Sequence, residues 1–141
     1  DVVAAETADG TRIVAESDHW VAFVPFAARW PVEIHMYPRR RTPDLAVISD
    51  TQRDDLAGIY LDLLRRCDRL FGFPLPYVAG WHQAPVRDRR AHGALHLELF
   101  SVQRAPDRLK YLAASESAMG AFVNDRTPEF IAELLRAAGA T

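Results

Sequence analysis

Cysteine is nearly absent from this chain of 141 residues, where Cys67 stands alone. A single thiol excludes an intrachain disulfide framework and suits a reducing compartment. It falls on an apolar helical stripe, where a thiol reads as a small buried hydrophobe rather than a nucleophile. Lysine is as scarce: of 17 basic residues only Lys110 is a lysine, so the ammonium side chain marks one place. The excess of Arg and Ala reads as coding bias of a GC-rich genome. The seven glycines are scattered and build no phosphate loop, and there is no Gly-x-Ser-x-Gly elbow. No apolar run approaches membrane-spanning length, and no charged leader precedes an apolar stretch. A formal net charge of -2 gives no sign of a nucleic-acid or membrane-surface partner. The expected location is therefore the cytoplasm. The chain opens on Asp1 rather than Met, which raises the expectation of a segment upstream.

What is present is ordinary for a soluble globular chain, with 49% hydrophobic and 26% charged residues, and the length suits one compact domain over residues 1–141. Asp9-Gly10 between two short runs predicts a hairpin. Trp20 to Phe26 is almost wholly apolar, as a strand covered on both faces would be. Val32 to Tyr37 alternates, with Val32, Ile34 and Met36 on one side and Glu33, His35 and Tyr37 on the other. Ser49 with Gln52 three residues later is a capping box. From there Leu56, Ile59, Tyr60, Leu63, Leu64, Cys67 and Leu70 trace a helical stripe that Gly72 and Pro74 end. Tyr77 to His82 reads as a strand and Gln83 to Ala91 as an Arg-rich loop. His92 to Phe100 reads as a strand with Leu95, Leu97 and Leu99 on one face. A last helix is predicted from Pro128 to Ala138, capped by Thr127, with Phe130, Ile131, Leu134 and Leu135 inward. Strands, helix, strands, helix argue for an α+β fold, an antiparallel sheet with helices packed on one side.

The strand from His92 to Glu98 carries the most chemistry. Its leucines bury one face, so His92, His96 and Glu98 lie on the other, either as a solvated sheet face or as a pocket wall or metal site. Neutral imidazoles and a carboxylate bind a metal when they converge at about 2 Å from it. His96 and Glu98, two apart on one strand, can both reach such a point, and His82 at the end of a neighbouring strand is a candidate third ligand. His35, beside Glu33 and Tyr37, reads as a structural histidine bonded to a neighbour. Arg39, Arg40 and Arg41, and Arg87, Arg89 and Arg90, are two basic clusters, read as solvated loop charge or as phosphate contacts. No nucleophilic triad is visible.

Four strings in this order, "HWVAFVPFAARWPVEIHMYPRR", "LFGFPLPYVAGWHQAP", "HLELF" and "LKYLAASESAMGAFVND", resemble the second half of galactose-1-phosphate uridylyltransferases, members of the histidine-triad superfamily. Gly80-Trp81-His82-x-Ala84-Pro85 is the most specific piece, and the resemblance runs from about Gly10 to the end. It implies a half-barrel of antiparallel strands with packed helices, the carboxyl-terminal half of a longer enzyme of galactose metabolism. It further implies nucleotidyl transfer between UDP-glucose and a hexose 1-phosphate, ping-pong through a uridylyl-histidine. The family's nucleophile lies in a His-Pro-His-Gln motif of the first half. That string does not occur here, so no residue of this chain is assigned a catalytic role, and the chain alone is expected to be inactive. The resemblance matches His82 and His96 to ligands of a structural metal, zinc or iron, with Glu98 where those members have His and a further ligand from the other half. It matches Lys110 and Glu116 to positions that reach the nucleotide sugar across a dimer interface. Ser115 and Phe122 depart from the family's Tyr and Gln there. Expected partners are thus nucleotide sugar and hexose 1-phosphate, an N-terminal half, and a second subunit. The alternative is a non-catalytic nucleotide-sugar-binding or dimerisation domain from a split or decayed gene.

Overall fold

The structure, a computed structural model, describes residues 2–140. Helix α1 (Val2–Asp9) precedes strands β1 (Ile13–Glu16), β2 (Trp20–Phe23) and β3 (Val32–Pro38). A turn of 3-10 helix (Leu45–Val47) then leads into the long helix α2 (Asp50–Leu70). Strands β4 (Val78–His82) and β5 (His96–Ser101) follow, then a small hairpin of β6 (Gln103–Ala105) and β7 (Arg108–Leu109), and helices α3 (Ala114–Met119) and α4 (Pro128–Gly139). Five strands form one antiparallel sheet in the order β1-β2-β3-β5-β4.

The period-two pattern of β3 and β5 sorts their side chains. Ile34 pairs with Leu99 and Met36 with Leu97 on one face, and His35 pairs with Glu98 on the other. Helices α2 and α4 close the first face with Ile59, Leu63 and Cys67 and with Ile131, Ala132 and Leu135. Each fully buried leucine there contributes about 1.5–3 kcal/mol. The capping box forms as expected: the Ser49 hydroxyl accepts the Gln52 amide, and the Gln52 side chain accepts the Ser49 amide. Burial pushes the Cys67 thiol up to about 12, the state of an inert core residue. The two helices lie chiefly over β1 and β2, so β4 extends beyond them and Ala79 on the core side stays exposed.

Three expectations are corrected. The hairpin around Asp9-Gly10 is not formed, because Val2–Asp9 is helical. Its alanines and glutamate favour helix, and Gly10 at φ 74° ends it by donating its N–H to the Glu6 carbonyl at 2.8 Å. Strand β5 starts only at His96, and His92 sits in the preceding turn, its N–H on the Arg89 carbonyl at 2.8 Å. There the chain pairs with other loops: Leu95 donates to Thr42 at 2.7 Å and Ala84 to Pro43 at 2.8 Å. At the crossing only a glycine fits, since a Cβ on Gly93 would lie 2.6 Å from the Ala84 Cα. Finally, Phe130 is 38% exposed with the Arg126 guanidinium 5.0 Å from its ring centre. The inward stripe is Ile131, Ala132 and Leu135, which turns Phe130 away.

Candidate metal centre

Register brings the candidate ligands together. His82 and His96 are direct partners across β4 and β5, while Glu98 has Gly80 opposite it on β4 and His35 opposite it on β3. All lie on the sheet face turned away from α2 and α4. The rings of Phe23, Tyr37, His96 and His82 stack in a row across four strands, with centroid separations of 5.7, 4.7 and 4.8 Å and planes within 4–11°. This stack restrains both imidazoles.

His96 Nδ1 donates to the Ala94 carbonyl at 3.0 Å, so its Nε2 presents a lone pair. That lone pair is 3.4 Å from Glu98 Oε1, and His82 Nε2 is 3.5 Å from Glu98 Oε2. Two acceptors facing each other at such range call for a proton or a cation between them. Ligand atoms about 2.0–2.2 Å from one tetrahedral ion are about 3.3–3.5 Å apart, and the two imidazole–carboxylate separations, each to a different Glu98 oxygen, are of that size. The ligand atoms of His82, His96 and Glu98 all lie within 4.8 Å of one another, and two imidazoles with one carboxylate suit Zn or Fe(II). The fixed Nδ1–H of His96 is the outer-shell contact a metal-binding histidine uses to hold its tautomer.

Behind this group stands a second pair. His35 Nε2 is 3.0 Å from Glu33 Oε1 and 4.0 Å from Glu98 Oε1. Burial raises the Glu33 carboxyl, but hydrogen bonds from His35 and from the Trp30 and Arg29 amides outweigh it and hold it below the ordinary range. The bond of His35 to a neighbour matches its reading as a structural histidine. Its proximity to Glu98 was not legible, because β3 and β5 are more than fifty residues apart.

Lys110 and Glu116 meet elsewhere, at the Phe100 end of the sheet. Lys110 Nζ lies 2.6 Å from Glu116 Oε1 and donates to the carbonyls of Arg29 and Val123 at 2.7 Å each, with Trp30 and Phe122 flanking it. Its three donors are all engaged, and the two side chains are only 8% and 2% exposed. Glu116 also accepts the Ala113 and Val123 amides. The Lys110 bond and these amides hold its carboxyl down to about 2. The pair thus ties the segment around α3 to the β2–β3 loop. Trp30 stacks on Phe100 at 4.9 Å beneath it, a contact that no sequence spacing announced. Of the arginine clusters, Arg39 pairs with Glu16 at 2.8 Å, Arg41 donates to the Arg90 and Gly93 carbonyls, and Arg90 pairs with Asp44. These three brace loops.

Comparison with known proteins agrees with this architecture. A family described as "Galactose-1-phosphate uridyl transferase, C-terminal domain" matches residues 1–137. The galactose-1-phosphate uridylyltransferase of Streptomyces lividans is 46% identical over 106 residues, 69% of this chain and 30% of that protein. That of Haemophilus influenzae is 37% identical over 139 residues, 97% of this chain and 40% of that protein. A solved uridylyltransferase structure superposes with a TM-score of 0.89 at 33% identity, covering 98% of this chain and 44% of that one. A Zn-bound histidine triad family protein from Mycobacterium smegmatis shares the fold at 17% identity and a TM-score of 0.61, with 98% of this chain and 91% of that one covered. The chain spans 30–40% of the length of the curated relatives described.

Proposed function

This chain belongs to the family of the galactose-1-phosphate uridyl transferase C-terminal domain, and from that premise we propose that it is the carboxyl-terminal half of a UDP-glucose–hexose-1-phosphate uridylyltransferase. The observation that carries the reading is the family match over residues 1–137 together with the 0.89 superposition on a uridylyltransferase. The reaction is ping-pong, through a uridylyl-histidine supplied by an N-terminal half.

In this reading His82, His96 and Glu98 hold a zinc or iron ion that serves as a brace. The ion, when bound, neutralises Glu98 and ties β4 to β5. The chain's own residues then keep the His96 tautomer fixed, through Ala94, and keep both rings in the stack with Tyr37. Lys110 and Glu116 contact the nucleotide sugar, Lys110 by neutralising phosphate charge and Glu116 by accepting sugar hydroxyls. Their present partners are each other, so substrate contact requires the pair to open. The second reading is a non-catalytic nucleotide-sugar-binding or dimerisation domain, and the donor set already saturated within the chain favours its dimerisation form over its nucleotide-sugar-binding form.

Intact mass after incubation with UDP-glucose tests the division of labour. No uridylyl adduct is expected on this chain alone, and transfer activity is expected when the N-terminal half of a family member is added. An acid-labile adduct on this chain would place a nucleophile here and overturn the proposal. Failure of added N-terminal halves to restore transfer would favour the non-catalytic reading.

A further inference from the structure

The loop between β2 and β3 is held in an unusual way. Side chains from elsewhere claim every backbone polar group of Arg29 and Trp30. Glu33 Oε2 accepts both amides, at 2.7 and 3.0 Å. Lys110 Nζ donates to the Arg29 carbonyl at 2.7 Å, and Asn124 Nδ2 to the Trp30 carbonyl at 2.9 Å. The Arg29 side chain is left out of this network. It is exposed, and among the described residues its guanidinium makes no hydrogen bond or ion pair. It lies over the Phe122 ring, 5.4 Å from the ring centre. Two neighbouring cations are already matched, Lys110 with Glu116 and Arg104 with Asp125. Arginines that brace this chain look different: Arg41 donates to the Gly93 carbonyl and Arg90 pairs with Asp44. A guanidinium on a fixed backbone, resting on a ring with its N–H fork unused, is arranged to receive an oxyanion.

We propose that Arg29 takes a phosphate group of the substrate, and does so while the Lys110–Glu116 pair stays closed. This rests on the reading of the chain as half of a uridylyltransferase. Closed, Lys110 has no donor to offer, and a phosphate drawn to it would meet the Glu116 carboxylate 2.6 Å away. Opening the pair would leave Glu116, its side chain 2% exposed, with only the Ala113 and Val123 amides. A buried carboxylate stripped of its cation is strongly unfavourable. Arg29 meets neither obstacle. Its fork can bind a phosphate through two parallel N–H bonds, and its fixed backbone leaves little to be ordered on binding. The same chemistry is carried by the diphosphate of a nucleotide sugar and by the monoester of a hexose 1-phosphate.

Calorimetric titration with UDP-glucose and with galactose 1-phosphate tests the contact, on the chain alone and with an added N-terminal half. The guanidinium bonds nothing in the fold, so Arg29→Gln is expected to melt like the unmodified chain. It is expected to weaken binding about tenfold, while Arg29→Lys keeps the charge and loses less. Arg87→Gln, which removes an exposed arginine from the β4–β5 loop, is the control and is expected to leave binding unchanged. A loss seen with UDP-glucose alone assigns the contact to the diphosphate, and a loss with galactose 1-phosphate alone assigns it to the monoester. Unchanged affinity of Arg29→Gln for both ligands overturns the proposal, as does a chain that binds neither with or without the other half. The transfer assay with the added half separates this proposal from the reading beneath it. Restored transfer with a KM that Arg29→Gln raises supports both. Restored transfer with binding and KM unmoved by Arg29→Gln overturns the Arg29 contact alone. Arg29-dependent binding without restored transfer leaves the contact standing and overturns the half-enzyme reading.

Discussion

At the β1–β2 side of the sheet, two helices bury Leu63, Cys67, Ile131 and Leu135 against apolar strands, and Arg136 closes the edge. At the β5–β4 side the same sheet has no helix layer over β4, an open edge, and a face bearing His82, His96 and Glu98. Both sides are built from strands of similar length with the same alternation. The difference lies in what covers them: the first side supplies stability through burial, and the second leaves imidazoles and a carboxylate accessible. An exposed sheet region is costly to leave bare unless something binds there.

That contrast can be broken by mutation. Leu63→Ala removes a fully buried side chain and is expected to cost about 2–5 kcal/mol in a urea titration, whereas Val78→Ala on the open side is expected to stay within about 0.5 kcal/mol. Equal losses would show that the two sides contribute alike. Added Zn2+ sharpens the comparison from the open side. At a hundredfold excess over its dissociation constant, one bound ion stabilises the fold by about 2.7 kcal/mol, read as a raised melting temperature. His96→Ala is expected to abolish that rise, measured against the variant's own metal-free melting temperature, which the loss of the ring stack lowers. A rise that persists in His96→Ala would place the ion elsewhere.

A pH-dependent effect concerns the Lys110–Glu116 tie, which lies at the far end of the sheet from the histidines. The folded Glu116 carboxyl sits at about 2, below its ordinary 4.5, because Lys110 and two amides stabilise the ionised form. Its contribution is therefore fully present above about pH 4.5 and lost as pH falls toward about 2. Glu116→Gln is expected to flatten that part of the acid limb in a pH series of thermal melts. An unchanged acid limb would show that the pair is not formed in solution.

Much of this was legible from the residues. The α+β class, the α2 capping box and the alternation of β3 are local patterns, and local patterns survive into the fold. His96 and Glu98 were readable as sharing a face because two residues along a strand always do. Boundaries were less secure where local and tertiary demands competed. The stretch from His92 to Leu95 alternates like a strand but is bonded to the loops carrying Thr42 and Arg89. The run before Gly10 reads as strand beside an Asp-Gly pair, yet its alanines form a helix.

Residue types and their spacing were enough to name the candidate metal ligands and the faces that could be buried, and the four strings were enough to suggest the family. That His82 stands directly across from His96, that His35 approaches Glu98, and that the ammonium of Lys110 is spent on Glu116 and two carbonyls became visible only in the folded chain. The physical reason is range. Periodicity and capping act over a few residues, whereas cross-strand register and the partner of a long flexible side chain depend on segments far apart in the chain, brought together only when the core closes.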